Sequence, residues 1–276
     1  MGTGAVTRIR LCGELKVQLQ GRPVEQELPG RQGRLVLAFL AARRERPVGR
    51  DEMIDALWPA DPPADPDEAL SALLSKVRRA LGKGVIEGRR ELTLVLPSNA
   101  SVDLEEAREA VERADATLAR SDWRSAFDAA TAALEVASGG FLAGHDAPWV
   151  EDRRREVEEL RLRALECVAA AGAALEGAEL AAGERAARAL IAALPFRESG
   201  HRFLMAALAA RGNVAEALQV YDDLRVLLRD ELGTAPGAAV QALHQRLLKE
   251  GRGGPGVAGL VDPLAAPAPE DRKSVV

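Results

Sequence analysis

The residues of this chain best suited to chemistry are cations gathered in two short runs. Ser75, Lys76, Arg78 and Arg79 lie within residues 71–81, and Arg89 and Arg90 follow in the short run Glu87-Gly-Arg-Arg-Glu91. Arginine offers a planar fork of donors that can hold a guanine edge by two hydrogen bonds, and either basic residue can neutralise a phosphate. The chemistry on offer is recognition of nucleic acid. Each run also has an ordinary reading, the first as the solvated side of an amphipathic helix and the second as an exposed charged turn.

Bond-making chemistry finds no comparable grouping. His145, His201 and His244 are scattered and fall into no ligand or triad spacing. The acid pairs Asp222-Asp223 and Glu158-Glu159 sit among arginines in helical runs, where pairs one turn apart account for them. Gly251-Arg-Gly-Gly-Pro-Gly256 matches a dinucleotide fingerprint only formally, with no strand before it and no helix after it. Cys12 and Cys167 stand far apart, which argues against a disulfide or metal framework and suits a reducing cytosol. No catalytic, cofactor-binding or metal-ligating residue is assigned, and an enzyme is not expected. The N-terminus lacks an apolar export segment and no apolar run approaches a membrane span, so a cytoplasmic chain without membrane attachment is expected.

Elements able to position the cations follow from hydrophobic period and breakers. Residues 8–11 and 15–19 alternate apolar and polar with period two, Gly21-Arg-Pro23 turns, and 24–28 reads as a short third strand. Leu35, Val36, Phe39 and Leu40 then take helical spacing, and residues 51–58 give a second helix. The run Pro59-Ala-Asp-Pro-Pro-Ala-Asp-Pro66 cannot be helical. A third helix is predicted over 67–81, with Leu70, Leu73, Leu74, Val77 and Leu81 on one face and Glu68, Ala72, Ser75, Lys76 and Arg79 opposite. Residues 85–96 read as a hairpin tipped by Arg89 and Arg90. Strands, three helices and a hairpin within 1–97 make a winged-helix plan, in which the third helix enters the major groove and the hairpin reaches the adjacent backbone or minor groove.

Beyond 98 the strand signal vanishes. Helices are predicted near 103–119, 123–136, 149–175, 179–194, 198–210, 214–231 and 237–249, separated by short turns. The segments Ser121-Asp-Trp-Arg-Ser-Ala-Phe and Gly212-Asn-Val-Ala-Glu-Ala-Leu resemble one another and fit a tetratricopeptide-like helix hairpin. The expected organisation is a winged-helix DNA-binding domain over 1–97, an all-helical repeat domain over 98–250 and a linker or tail over 251–276. Charge divides the same way. Residues 1–97 carry 16 Lys and Arg against 13 Asp and Glu, a net of +3, and the remainder carries −8 of the total of −5. A mildly basic head on an acidic body fits a chain that meets phosphate at one end.

Together these segments resemble the Streptomyces antibiotic regulatory protein type of activator with its bacterial transcriptional activator domain. In the head the likeness rests on Arg31-Gln-Gly-Arg-Leu-Val-Leu-Ala-Phe-Leu, Asp51-Glu-Met-Ile-Asp-Ala-Leu-Trp-Pro and Leu73-Leu-Ser-Lys-Val-Arg-Arg-Ala-Leu-Gly. In the body it rests on Pro148-Trp-Val-Glu, Pro195-Phe-Arg-Glu, Ala215-Glu-Ala-Leu-Gln-Val-Tyr and Glu231-Leu-Gly-Thr-Ala-Pro, so that it covers about 7–250. The resemblance implies an OmpR-like winged helix that binds direct repeats in double-stranded DNA near promoters and helps recruit RNA polymerase. It further implies a helical domain that packs on the head and mediates homodimer or polymerase contacts. Ser75, Lys76, Arg78 and Arg79 would face the groove, with Arg89 and Arg90 on the wing. The wing strand departs from the family's usual Gly-Tyr-x-Leu and reads Glu91-Leu-Thr-Leu94. Two other readings remain at this point. One is a protein-interaction scaffold with weak or no DNA binding. The other is the N-terminal regulatory part of a larger ATPase- or cyclase-type signalling protein, since Asp271-Arg-Lys-Ser-Val-Val276 faintly resembles the opening strand of a class III cyclase domain.

Overall fold

Alternation over the first twenty residues builds two antiparallel strands, β1 (Arg8–Arg10) and β2 (Lys16–Leu19), with Ile9 opposite Val17 and both side chains buried. The computed structural model describes residues 6–250, so the expected tail over 251–276 lies outside the described residues. The third strand is not 24–28 but β3 (Arg22–Pro23), paired with the end of β2. Over 24–28 the chain turns. Only Val24 and Leu28 are buried, four residues apart, and the intervening Glu25 and Glu27 accept from the Val17 N–H and the Arg22 guanidinium.

Helix α1 (Gly30–Ala41) buries Leu35 to Ala41 almost completely. A two-residue strand β4 (Val48–Gly49) leads into α2 (Arg50–Leu57), and the proline-rich stretch separates this from α3 (Pro66–Leu81). Strands β5 (Ile86–Glu87) and β6 (Glu91–Leu94) form the hairpin, which joins β4 in a three-stranded sheet ordered β4-β6-β5. A further short strand, β7 (Ser101–Val102), runs parallel to β1 and completes a four-stranded sheet ordered β3-β2-β1-β7. Among the described residues seven helices follow: α4 (Asp103–Leu118), α5 (Trp123–Ala137), α6 (Pro148–Ala173), α7 (Gly177–Ala193), α8 (Glu198–Ala210), α9 (Val214–Leu232) and α10 (Ala238–Glu250). The fold is thus an α+β winged helix followed by an all-α helical repeat. Among the described residues no helix is long and apolar enough to cross a membrane.

Two compact units divide the described residues within helices. Of the described residues, one comprises those up to 110 and 132–161, the other 111–131 and those from 162 on. In the first unit the winged-helix strands are stitched to later helical residues. Cys12 bridges Phe141, the Gly13 N–H donates to the Gly140 carbonyl at 2.7 Å, and the Leu142 N–H donates to Leu11 at 2.8 Å. Phe39 and Phe141 both meet Trp149 edge to face, at 5.0 and 5.9 Å between centroids. Asp103, only 5% exposed, fastens the same seam. Its carboxylate accepts from the backbone N–H groups of Leu11 (2.8 Å), Cys12 (2.9 Å) and Leu104 (2.8 Å).

In the second unit α8 packs between α7 and α9 and also meets α10. Gly172 and Gly183 let α6 and α7 touch, since a Cβ on Gly172 would sit 2.6 Å from the Gly183 Cα. The two resembling turns close identically. The Asp122 N–H reaches back to Thr117 and the Asn213 N–H to Leu208, five residues each, with Ser121 (φ 57°) and Gly212 (φ 81°) left-handed before them. This is the helix-ending motif that satisfies the last free carbonyls. It gives the predicted repeat a structural counterpart.

Candidate nucleic-acid interface

Helix α3 starts where its sequence allows. Asp65 caps it by accepting from the Glu68 N–H at 2.8 Å, and Pro66 occupies the first turn, where its missing N–H costs nothing. Leu70, Leu74, Val77, Ala80 and Leu81 are buried, which turns Glu68, Ala72, Ser75, Lys76 and Arg79 to solvent. The helix ends at Gly82. Its N-terminal turn is held by Arg50 of α2, which donates to the Asp67 carboxylate and carbonyl (both 2.8 Å) and to the Ser71 hydroxyl (3.0 Å). At the other end Arg22 donates to the Ala80 carbonyl at 3.1 Å. The exposed face of α3 is therefore braced from both ends.

The six residues singled out from sequence do not share one environment. Ser75, Lys76 and Arg79 are exposed on α3, and Arg89 and Arg90 are exposed at the hairpin tip. None of these four cations has a side-chain partner among the described residues. Arg78 differs. It is half-buried, and its guanidinium donates to the hairpin carbonyls of Ile86 (3.2 Å) and Gly88 (2.6 Å). Arg78 thereby sets where the hairpin stands relative to α3.

The hairpin tip depends on Gly88, at φ 86°, where an added Cβ would lie 1.7 Å from the Glu91 carbonyl oxygen. Leu92 stands where the family pattern has an aromatic. It is fully buried, and with Leu94 it anchors β6. Pairing of Val48 with Leu92 and of Gly49 with Glu91 ties the base of the hairpin to the start of α2. Sequence reasoning missed Lys83, an exposed cation between Gly82 and Gly84 that continues the row from α3 toward the hairpin. Its signal was a lysine set between the two helix-stopping glycines. Arg50 was also missed, because its role depends on a carboxylate seventeen residues away.

Elsewhere in the chain most arginines are paired, as in Arg124 with Glu179 (2.6 Å), Arg161 with Glu158 (2.7 Å) and Arg197 with Glu166 (3.0 Å). The thiols are withdrawn from chemistry. Burial, with Asp103 beside it, pushes Cys12 up to about 12, and burial with a hydrogen bond to Asp115 pushes Cys167 up as well.

The family model for the bacterial transcriptional activator domain matches residues 102–248. The chain belongs to this family. It is of the Streptomyces antibiotic regulatory protein type, and the regulatory protein AfsR of Streptomyces coelicolor is 33% identical to it over 243 residues, covering 88% of this chain but 24% of AfsR. The transcriptional regulatory protein EmbR of Mycobacterium tuberculosis is 31% identical over 256 residues, covering 87% of this chain and 63% of EmbR. A solved structure of M. tuberculosis EmbR with a low-affinity phosphopeptide matches at a TM-score of 0.74 and 27% identity, over 88% of this chain and 65% of that one. The chain thus spans about a quarter of AfsR and under two thirds of EmbR. Across the family segment the seam at residues 137–161 and the repeat turns at 117–122 and 208–213 all fall inside the matched range.

Proposed function

We propose that this chain is a DNA-binding transcriptional activator. In this reading α3 lies in a major groove and the β5–β6 hairpin lies against the flanking backbone. The observation that carries it is the row Lys76, Arg79, Lys83, Arg89 and Arg90, exposed and without side-chain partners among the described residues, on two elements braced against each other by Arg78. Arg79 and Ser75 have the reach and chemistry for base edges, and Lys76, Arg89 and Arg90 suit phosphates. Arg78 is the positioning residue between the two elements. The names of AfsR and EmbR support the regulatory role.

The partners follow from the same reading. Two copies on direct repeats would double the phosphate contacts. The helical repeat would meet RNA polymerase, where exposed Phe196, Val226 and Leu232 offer apolar purchase. The test is selection of bound genomic fragments, followed by titration of the recovered site. Arg79→Ala should cost about 1–3 kcal/mol and relax preference at one base position. Arg78→Ala should weaken binding to all sequences without relaxing that preference. If both variants bind the selected site as the parent does, the groove assignment is wrong.

A further inference from the structure

Within the first unit a cleft of about 280 Å³ opens between the end of α1, the β7–α4 junction and α6. Five of its lining residues are arginines: Arg43, Arg44, Arg46, Arg108 and Arg153. Three carboxylates serve these five guanidinium groups. Glu52 forms an ion pair with Arg43 (3.2 Å) and accepts from Arg46 (2.5 Å). Glu156 accepts from both Arg108 (2.9 Å) and Arg153 (2.7 Å), and Glu105 pairs with Arg44. Glu45, exposed on the lining, is the remaining acid and still leaves a net charge of +1.

The deficit is sharpest at Arg43. Its guanidinium lies 3.9 Å over the Phe39 ring, and its Nη1 is buried with no hydrogen-bond partner. Burial first, and then the Arg153 charge, hold it below the ordinary arginine range. An arginine does not escape such a site by losing its proton, so the pair remains a repulsion with an unmet donor. A buried donor left without an acceptor is costly, and an anion in the cleft would offset the repulsion between the two guanidinium groups. The volume lies just below the usual span of about 300–1,000 Å³ for small-molecule pockets, which fits a compact ligand.

We propose that this cleft binds a small free oxyanion of the phosphate class, held by the Arg43 and Arg153 guanidinium groups. It would join the end of α1 to α4 and α6 whether or not α3 engages DNA. The site is therefore suited to an effector that stiffens the seam beneath the winged helix.

The test is phenylglyoxal footprinting of the full chain, read by peptide mass spectrometry, in sodium phosphate, in sodium chloride of matched ionic strength, and with duplex DNA. Phosphate at ten times its dissociation constant should slow modification of Arg43 and Arg153 about tenfold, by simple occupancy. Arg155, exposed and paired with Asp152, should react as before. In a second measurement phosphate should raise the melting temperature of the parent chain and leave that of Arg43→Gln/Arg153→Gln unmoved. Protection equal in chloride, protection by duplex alone, or an undiminished phosphate shift in the double variant would each overturn the proposal. Should the double variant not fold, the footprint on the parent chain decides alone.

Discussion

Replacing Asp103 isolates the bond between the winged helix and the helices that follow it. In Asp103→Ala the N–H groups of Leu11 and Cys12, which are 0% and 3% exposed residues, lose their acceptor and gain no water. At about 1–3 kcal/mol for each stranded donor, the cost is about 4 kcal/mol, or a melting temperature lower by about 8–16 °C for a chain of this size. Asp103→Asn should cost less. Its single carbonyl oxygen can keep Leu11 and Leu104, which share Oδ1, and only the Cys12 bond is lost to an opposing donor. Acidity adds a second signature. Burial raises the Asp103 carboxyl above its ordinary 3.8 despite the three N–H groups that pull it down. A raised carboxyl binds its proton in the folded state first, so the parent gains stability relative to the Asn variant as pH falls from neutral toward 3.8. Urea unfolding at several pH values measures both effects. An Asp103→Ala chain as stable as the Asn variant, or a gap between parent and Asn variant that narrows on acidification, would refute the reasoning.

Three further outcomes are expected. Gly88→Ala should distort the hairpin tip and weaken DNA binding at least tenfold while moving the melting temperature little, because the clash at the Glu91 carbonyl is local; gel-shift titration beside calorimetry checks this. Neither Cys12 nor Cys167 should react with a thiol reagent in the native chain at pH 8, and both should react at once in denaturant. Binding should weaken with salt at a log–log slope near −3.6 for one copy, from the four unpartnered cations left for phosphates (Lys76, Lys83, Arg89 and Arg90) at about −0.9 each, and near −7 where two copies sit together. A slope shallower than −2 would remove those cations from the interface.

The legible parts of this chain are those with a period long enough to count. Helix α3 could be read because Leu70, Leu74, Val77 and Leu81 repeat over three turns, and that repeat also fixes which cations face outward. Strands β4 and β7 could not, since two residues carry no period and both pair only with partners more than forty residues distant. Residues 24–28 deceived because Val24 and Leu28 suit a strand by composition, whereas their four-residue separation and the acids between them suit a turn. Arg78 was legible as a cation and illegible as a strut. Backbone carbonyls accept its hydrogen bonds, and carbonyls leave no trace in composition. The same holds for Asp103, two of whose three donors come from about ninety residues upstream.

An unpartnered cation on a protein surface is weak evidence by itself, since an exposed ion pair contributes only about 0–1 kcal/mol and its absence costs little. What gives the row on α3 and the hairpin its weight is the treatment of the neighbouring arginines. Arg22, Arg50 and Arg78 are of the same residue type, and each is tied down by the elements that carry or adjoin the row. Their bonds set α3 at both ends and set the hairpin against it, so the arginines divide into those that build the surface and those that are left on it. Acids at 68, 87 and 91 temper the field of the exposed set. In the proposed reading a single copy would hold few phosphates, and discrimination would come from geometry shared between copies. A surface braced this firmly suits that demand, because two weak heads add their contacts only when neither must be ordered on arrival.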